Sequence, residues 1–222
     1  MRKVKFAVLG LLFFSFASGI YAYDNHDFQV WNTDILEWSV SKKLKIAYEQ
    51  EFRWMDNAGE FSYQHYDIGL SYRLNQNWGL GAGYRDVYEL SGNKWRQSNE
   101  PFLTATLFLE KFGFSFDSRS RLEYRNFDFK TDSWRYRNKF TLKFPWKFTK
   151  LELRPYISDE ILAPFASAGT TQINQNRFSA GLGMSLLKNL KAELYYMLKS
   201  DKGSNGKWID ANILGTRLKL AF

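Results

Sequence analysis

The stretch LKIAYEQEFRW, residues 44–54, decides the fold class. Its apolar face takes almost every second position and consists of Leu44, Ile46, Tyr48, Phe52 and Trp54. Its charged face lies between these positions and consists of Lys45, Glu49, Glu51 and Arg53. Because side chains alternate across an extended strand, this period of two predicts a β-strand with one apolar and one polar side.

The same period recurs along the chain and predicts eleven strands, at residues 28–40, 43–55, 61–74, 78–90, 99–110, 114–126, 133–144, 151–160, 174–187, 190–200 and 207–222. Nearly all reach the length of about 9–11 residues that a membrane-crossing strand needs. Strands of globular proteins run to about 5–6 residues. The sequence therefore predicts an all-β fold: one antiparallel up-and-down transmembrane β-barrel over residues 23–222.

The strand count conflicts with the even number that bacterial single-chain barrels use. We therefore expect 10–12 strands, with twelve favoured by length. Either segment 28–40, whose apolar face is broken by Asn32 and Asp34, lies outside the wall, or a further strand lies within 161–173. The connectors alternate between short turns and longer loops, and outer-membrane barrels place their short turns in the periplasm.

Residues 1–22 have the layout of a secretory signal peptide. Arg2, Lys3 and Lys5 form a basic start, an apolar stretch runs from Phe6 to Phe16, and Ala22 is the expected last residue removed. The apolar stretch is too short to cross a bilayer as a helix. Its removal leaves 31 − 3 = 28 basic residues against 23 acidic ones, so the net charge falls from +8 to +5.

Composition excludes several classes of protein. With 45% hydrophobic and 18% aromatic residues, the chain can bury a core and is not disordered. The absence of cysteine excludes a disulfide scaffold and a lipid-anchored lipoprotein. A mean hydropathy of -0.44, with no apolar run of about 18 residues, excludes a helical membrane protein. No nucleic-acid-binding motif is present, so no nucleic acid partner is expected.

An outer-membrane barrel turns its apolar face to lipid, whereas a soluble barrel turns it inward. Strand length, the export signal and aromatic residues near strand ends favour the membrane barrel over an exported soluble barrel or sandwich. The expected interfacial aromatic residues are Trp54, Tyr66, Tyr72, Trp78, Tyr124, Trp134, Tyr136, Tyr196 and Trp208. The chain ends with Leu218, Leu220 and Phe222 on one face, which resembles the C-terminal assembly signal of bacterial barrels.

The mature chain also resembles an uncharacterised family of Gram-negative outer-membrane proteins, the domain of unknown function 2490. The resemblance rests on motifs spread in order along the chain: DFQVW (27–31), EQEFR (49–53), FSYQHYDIGLSYRL (61–74), GAGYR (81–85), SRLEYR (120–125), WRYRNKF (134–140), LRPYISDE (153–160), NQNRFSAGLG (174–183) and LYYMLKS (194–200). It implies an outer-membrane barrel and no established activity.

The predicted inner face of two neighbouring strands carries a basic stripe, which consists of Arg119, Arg121, Arg125, Arg135, Arg137, Lys139 and Lys143. A hairpin centred on 127–132 would place Arg125 near Arg135, Glu123 near Arg137 and Arg121 near Lys139. Like charges that face each other destabilise a sheet, so further partners are needed. The expected acidic partners in the lumen are Glu49, Glu51, Glu100, Asp117, Glu123, Glu152 and Glu160.

Two interpretations of this stripe stay open. It lines a narrow passive channel that favours small anionic solutes, or it belongs to an ion-pair mesh that fills a closed barrel with a structural or surface-binding role. An outer-membrane hydrolase using His65 is the least favoured alternative, because Ser71 on the same face lies about 20 Å away along the strand. No phosphate loop, nucleophile elbow or metal-ligand cluster is present, so no cofactor or metal is expected.

The expected location is the outer membrane of a Gram-negative bacterium. The expected partners are membrane lipid and the barrel-assembly machinery, with small anionic solutes as the candidate cargo, and the expected state is a monomer.

Overall fold

The computed structural model describes residues 26–165, 172–203 and 205–222. These residues form an all-β fold of eleven strands: β1 (Asp27–Ser39), β2 (Leu44–Met55), β3 (Glu60–Arg73), β4 (Trp78–Ser91), β5 (Lys94–Lys111), β6 (Phe114–Phe127), β7 (Ser133–Lys143), β8 (Arg154–Pro164), β9 (Gln175–Ser185), β10 (Leu190–Lys202) and β11 (Trp208–Ala221). The described residues contain no helix of the length and apolarity that a membrane span requires. The expected signal peptide lies outside the described residues.

The sheet closes on itself as a barrel with each strand beside its neighbours in sequence. All neighbouring pairs are antiparallel except β1 and β11, which pair in parallel from Asp27 opposite Ala211 to Glu37 opposite Ala221. This pair corrects the favoured count of twelve strands, since the described residues close the barrel with eleven. In an up-and-down order an odd number leaves the first and last strands pointing the same way, so only a parallel pair can seal the wall.

Segment 28–40 belongs to the wall as β1, although Asn32 and Asp34 interrupt its apolar outer face. Both polar side chains find partners on neighbouring strands. The Asn32 amide donates to Thr216 Oγ1 at 3.1 Å, and the Gln50 amide donates to Asp34 Oδ2 at 3.3 Å. The strand expected within 161–173 is replaced by an extension of β8 to Pro164, while residues 166–171 lie outside the described part.

The two ends of the barrel carry connectors of similar length. One end, here the N-terminal end, holds His26 and connectors 56–59, 92–93, 128–132, 165–174 and 203–207. The other, the C-terminal end, holds Phe222 and connectors 40–43, 74–77, 112–113, 144–153 and 186–189. The expected contrast between long loops and short turns is therefore wrong. Residues 94–98, expected in a loop, pair with β4, and Gly92 turns the chain at a φ of 60°.

Burial is inverted relative to a soluble protein. The buried residues include eight arginines, glutamates and aspartates deep in the lumen: Glu51, Arg53, Asp67, Arg85, Glu100, Arg121, Glu123 and Arg137. Large apolar side chains cover the outside instead, including Leu70, Leu80, Leu103, Phe140, Phe178, Leu194 and Leu214. Because the strands alternate, the apolar face of every strand points outward and the polar face points into the lumen.

Two small apolar clusters occupy part of the lumen. Met55, Tyr63 and Val87 pack together near the N-terminal end. A second cluster joins Trp31, Tyr156, Tyr195, Met197 and Ile213. The first cluster lies on the adjacent strands β2, β3 and β4, and the second lies on β8, β10, β11 and β1 around the seam of the barrel.

Candidate functional site

A network of ion pairs and hydrogen bonds crosses the lumen, and it passes from Glu51 to Glu49 through the His65 imidazole. It starts on β2, where Arg53 contacts Glu51, and reaches β3 and β4 through His65, Glu49 and Arg85. The Arg85 guanidinium binds Asp67 at 2.9 Å. Asp67 in turn lies 3.5 Å from Arg121 on β6, so the first half of the network links seven residues on the four strands β2, β3, β4 and β6.

The second half of the network runs through β5 to β9. Glu123 contacts Arg135 and binds Arg137 at 2.9 Å, and Arg137 binds Glu160 at 2.8 Å. Glu100 joins the network from β5 through Arg135 and Arg125, at 3.2 and 2.8 Å. Glu160 then reaches Arg177 on β9 at 3.4 Å. Seven arginines thus face six carboxylates, and buried charges are stable only when they are paired in this way.

An aromatic residue closes the ring. The Arg53 guanidinium lies 3.7 Å from the ring centre of Trp31 and 3.8 Å from that of Tyr63, so it is stacked between two aromatic faces. Arg177 approaches the same Trp31 ring at 5.2 Å. Cation–π contacts of this kind are stronger when they are desolvated. Trp31 therefore joins the two ends of the charged network across the seam of the barrel.

The basic stripe expected from the sequence divides into two groups. Arg121, Arg125, Arg135 and Arg137 belong to the network. Arg119, Lys139 and Lys143 instead line a cavity of about 370 Å³ on the C-terminal side of the network. The stripe therefore lies on one face of the two strands, but its residues have two chemical environments, the charged network and the cavity.

The register of the β6–β7 hairpin differs from the expected one by two residues. Glu123 lies opposite Arg135, Arg121 opposite Arg137 and Arg119 opposite Lys139. The shift preserves which face each residue occupies, because the side-chain period is two. Its cause is the connector 128–132, which ends on Asp132 and leaves Arg125 opposite Ser133.

Asp132 holds this connector through three hydrogen bonds. The Tyr124 hydroxyl donates to Asp132 Oδ2 at 2.7 Å, the Asn126 amide donates to the same oxygen at 2.8 Å, and the Phe127 backbone N–H donates to Oδ1 at 3.1 Å. These hydrogen bonds stabilise the charged carboxylate and lower the pKa of Asp132 below its usual value, and the bond from the Tyr124 hydroxyl has the largest effect.

The expected acidic partners lie in three different places: the network, the cavity and the protein surface. Glu49, Glu51, Glu100, Glu123 and Glu160 all join the network. Asp117 lines the cavity. The expectation for Glu152 is wrong, because this residue lies in the connector 144–153 and pairs with Lys147 on the surface at 3.1 Å. The isolated bridge between Phe148 and Leu153 turns the chain there before β8 begins.

His65 is buried in the lumen between two polar partners. Its Nδ1 lies 3.2 Å from the Tyr63 hydroxyl, and its Nε2 lies 3.2 Å from Glu49 Oε1. Ser71 does not contact it. His65 is 2% exposed and lies among the residues that line the cavity described below. The described residues also contain no group of His, Asp or Glu side chains arranged to hold a metal ion.

The cavity between the network and the C-terminal end is strongly charged. Its lining includes eight basic residues: Arg53, Arg85, Arg119, Arg137, Lys139, Lys143, Arg177 and Arg217. Five acidic residues face them: Glu49, Glu51, Asp117, Glu160 and Glu193. Eight minus five leaves an excess of three positive charges. Arg177, Glu193 and Arg217 lie outside the expected stripe and its expected partners, although continuing the period of two along β9, β10 and β11 places them inside.

The expected interfacial aromatic residues all lie on the outer face. Near the N-terminal end, Trp134 contacts Tyr124 in a tilted arrangement with ring centres 5.1 Å apart, and Trp54 contacts Phe61 at 5.5 Å. The other members at this end include Trp208, and those at the C-terminal end are Tyr72 and Trp78. Tyr66, Tyr136 and Tyr196 lie further along their strands, so they widen the two belts toward the middle of the wall.

The C-terminal residues complete the seam with β1. Phe222 stacks on Trp38 with ring centres 5.8 Å apart, and its backbone N–H donates to Glu37 O at 2.8 Å. Leu218, Leu220 and Phe222 share the outer face of the chain end, as the sequence predicts. The last residues of the chain therefore fasten the parallel pair that closes the barrel.

Comparison with known proteins places this architecture in a family. Neither the curated proteins nor the solved structures contain a match to the chain. A family model described as "Protein of unknown function (DUF2490)" matches residues 28–210, which span β1 to the start of β11 and include the whole charged network. The chain therefore belongs to the DUF2490 family.

Proposed function

We propose that this protein is an integral β-barrel of the Gram-negative outer membrane whose lumen is closed by its own side chains. The single observation that carries the proposal is the inversion of burial, with charged residues inside and large apolar residues outside. A water-soluble protein exposes contiguous apolar patches of a few hundred Å² at most. An apolar belt around a whole barrel suits the hydrocarbon core of a bilayer.

Three further features support the membrane location. The strands run from 11 to 18 residues, which suffices to cross the bilayer. The closed sheet leaves no free strand edge in the wall, as lipid requires. The aromatic residues near both ends fit the headgroup regions. The expected signal peptide supplies the export route that such a location needs.

The packing of the lumen favours a closed barrel over an open channel. Glu123 is 0% exposed, and Trp31, Arg53 and Tyr63 are each below 10%. Trp31, Arg53 and Tyr63 pack together from the neighbouring strands β1, β2 and β3, and Arg121 on β6 extends to within 3.5 Å of Asp67 on β3. A path for solutes would have to separate desolvated ion pairs, which is costly because each charge would lose its partner. A structural or binding role therefore fits better than passive diffusion.

The passive anion channel remains the second candidate, because the cavity carries an excess of three positive charges. A planar-bilayer recording of the refolded protein separates the two. We expect no steady conductance from a barrel whose folding is shown by a heat-dependent shift in gel mobility. Steady anion-selective current from the unmodified protein would overturn the closed lumen and restore the channel.

A charge-neutral pair of substitutions tests the network as the barrier. Replacing Glu123→Ala together with Arg137→Ala removes two central side chains, and we expect this variant to conduct. The matched control removes the exposed pair Lys147 and Glu152, also by alanine, and we expect it to stay silent. A silent Glu123/Arg137 variant that is demonstrably folded would place the barrier elsewhere, in the cluster of Met55, Tyr63 and Val87.

A further inference from the structure

Four basic residues in the cavity differ from those of the network in how poorly they are paired. Lys139 and Lys143 make no hydrogen bond or ion pair with any described residue. The one ion pair of Arg119 is long, 3.9 Å to Glu160. Arg217 contacts Glu193 at 3.3 Å, yet its buried Nε has no hydrogen-bond partner. Donors without a hydrogen-bond partner occur in the network as well, on Arg121 and Arg177. Each arginine of the network nevertheless has a carboxylate within 4 Å, whereas Lys139 and Lys143 have none among the described residues.

Like charges are brought together here. Arg119 lies directly opposite Lys139 in the β6–β7 ladder. The positive charges of Arg217 and Arg119 both act on the Lys139 ammonium, and the carboxylates of Glu160 and Glu193 oppose them. Facing like charges destabilise a sheet unless another group compensates them. Asp117 and Glu193 oppose these four basic groups, and so does Glu160, which Arg137 and Arg177 already share. Over the whole cavity, eight basic residues face five acidic ones.

The cavity has a size and an entrance suited to a small ligand. Its volume of about 370 Å³ falls within the range of small-molecule sites. The side chains of Arg119, Arg217 and Glu193 remain 39%, 28% and 25% exposed, so water reaches them. Glu123, Glu100 and Arg137 in the network are 1%, 3% and 8% exposed. The cavity is thus open toward the C-terminal end and blocked behind.

We infer that this cavity binds a small oxyanion with at least two negative charges, held by Arg119, Lys139, Lys143 and Arg217. The two arginine forks suit the paired oxygens of a phosphate or carboxylate group, and the lysines supply mobile point charges. The inference deepens the proposed function, because a closed lumen turns a basic cavity into a binding site instead of a passage. Binding is measured on the folded barrel and does not depend on conductance. The conductance experiment and the binding experiment can therefore fail independently of each other.

The test is calorimetric titration of the detergent-refolded full chain at low salt. Inorganic pyrophosphate represents phosphate ligands, and citrate represents polycarboxylates. The probe that binds with the higher affinity identifies the chemical class of the ligand. We expect saturable binding with one ligand per barrel. The variant Lys139→Gln/Lys143→Gln should weaken it at least about tenfold. The control Lys42→Gln/Lys188→Gln removes the same charge from exposed connector positions at the same end and should change it less than about twofold.

The midpoint of thermal unfolding gives a second test of the Lys139→Gln/Lys143→Gln variant, measured without and with ligand. Removing Lys139 relieves repulsion in the empty barrel, so the midpoint of thermal unfolding should stay equal or rise. Adding pyrophosphate or citrate should raise this midpoint for the unmodified protein and leave the variant unchanged. The inference is overturned if the folded, unmodified protein gives no saturable heat with either probe. Equal weakening by the two double variants would overturn it as well, since the effect would then be general charge screening.

Discussion

Glu123 has the most constrained carboxylate of the network, because it is fully buried and serves both Arg135 and Arg137. Replacing it by alanine leaves two guanidinium groups short of a partner in a desolvated lumen. Breaking a buried pair from one side costs about 3–5 kcal/mol. We expect a loss of this size in the free energy of unfolding, measured by urea titration of the barrel in lipid vesicles.

The control for this substitution is Glu110→Ala. Glu110 lies exposed at the end of β5 and makes no ion pair with a described residue, so its loss should stay within about 0.5 kcal/mol. Equal effects of the two substitutions would mean that the lumen is hydrated and the network weak. The closed barrel would then lose its main support.

Gly215 allows Tyr195 to lie flat against the wall. The two residues face each other in the β10–β11 ladder, and a Cβ at position 215 would collide with the Tyr195 ring. Gly215→Ala should therefore cost about 1–3 kcal/mol, as overpacking of a filled interior does. Gly183→Ala is the matched control, because the nearest atom to its added Cβ is 3.8 Å away. The same urea titration compares the two, and equal stabilities would contradict the packing described for Tyr195.

The outer face of β5 distinguishes a membrane barrel from a soluble one. Leu103 sits near the middle of this strand and is 62% exposed. In a bilayer, Leu103→Arg should lower the free energy of unfolding by about 2–4 kcal/mol, whereas Phe112→Arg in the connector should cost about 0–1 kcal/mol. If both substitutions are neutral in vesicles, the apolar belt does not face hydrocarbon and the proposed location is wrong.

The strands themselves were predictable because alternation needs no knowledge of the fold. All eleven expected strands occur, and most of their ends move by three residues or fewer. β5 begins five residues early, since Trp95 and its polar neighbours pair with β4 through a two-residue turn. The pairing register was harder, because it depended on how Asp132 closes one connector. Contacts between distant strands, such as Arg177 with Trp31, follow only from closure of the barrel.

The odd number of strands has a consequence for the whole molecule. His26 lies at the N-terminal end and Phe222 at the C-terminal end, so the first and last described residues lie at opposite ends of the barrel. An even-stranded barrel would place both on one side. In a membrane, the connectors at the N-terminal end therefore lie on the same side as His26, and the connectors at the C-terminal end lie on the same side as Phe222.

The absence of cysteine makes this arrangement directly measurable. Single substitutions Asn57→Cys and Asn93→Cys mark connectors at the N-terminal end, and Gln76→Cys and Lys188→Cys mark the other end. We expect a membrane-impermeant maleimide applied to intact cells to label one pair and to label the other only after the outer membrane is permeabilised. An epitope placed after Phe222 should follow the pair of positions 76 and 188. An epitope that instead follows positions 57 and 93 would require a twelfth wall strand, and the parallel seam would then be wrong.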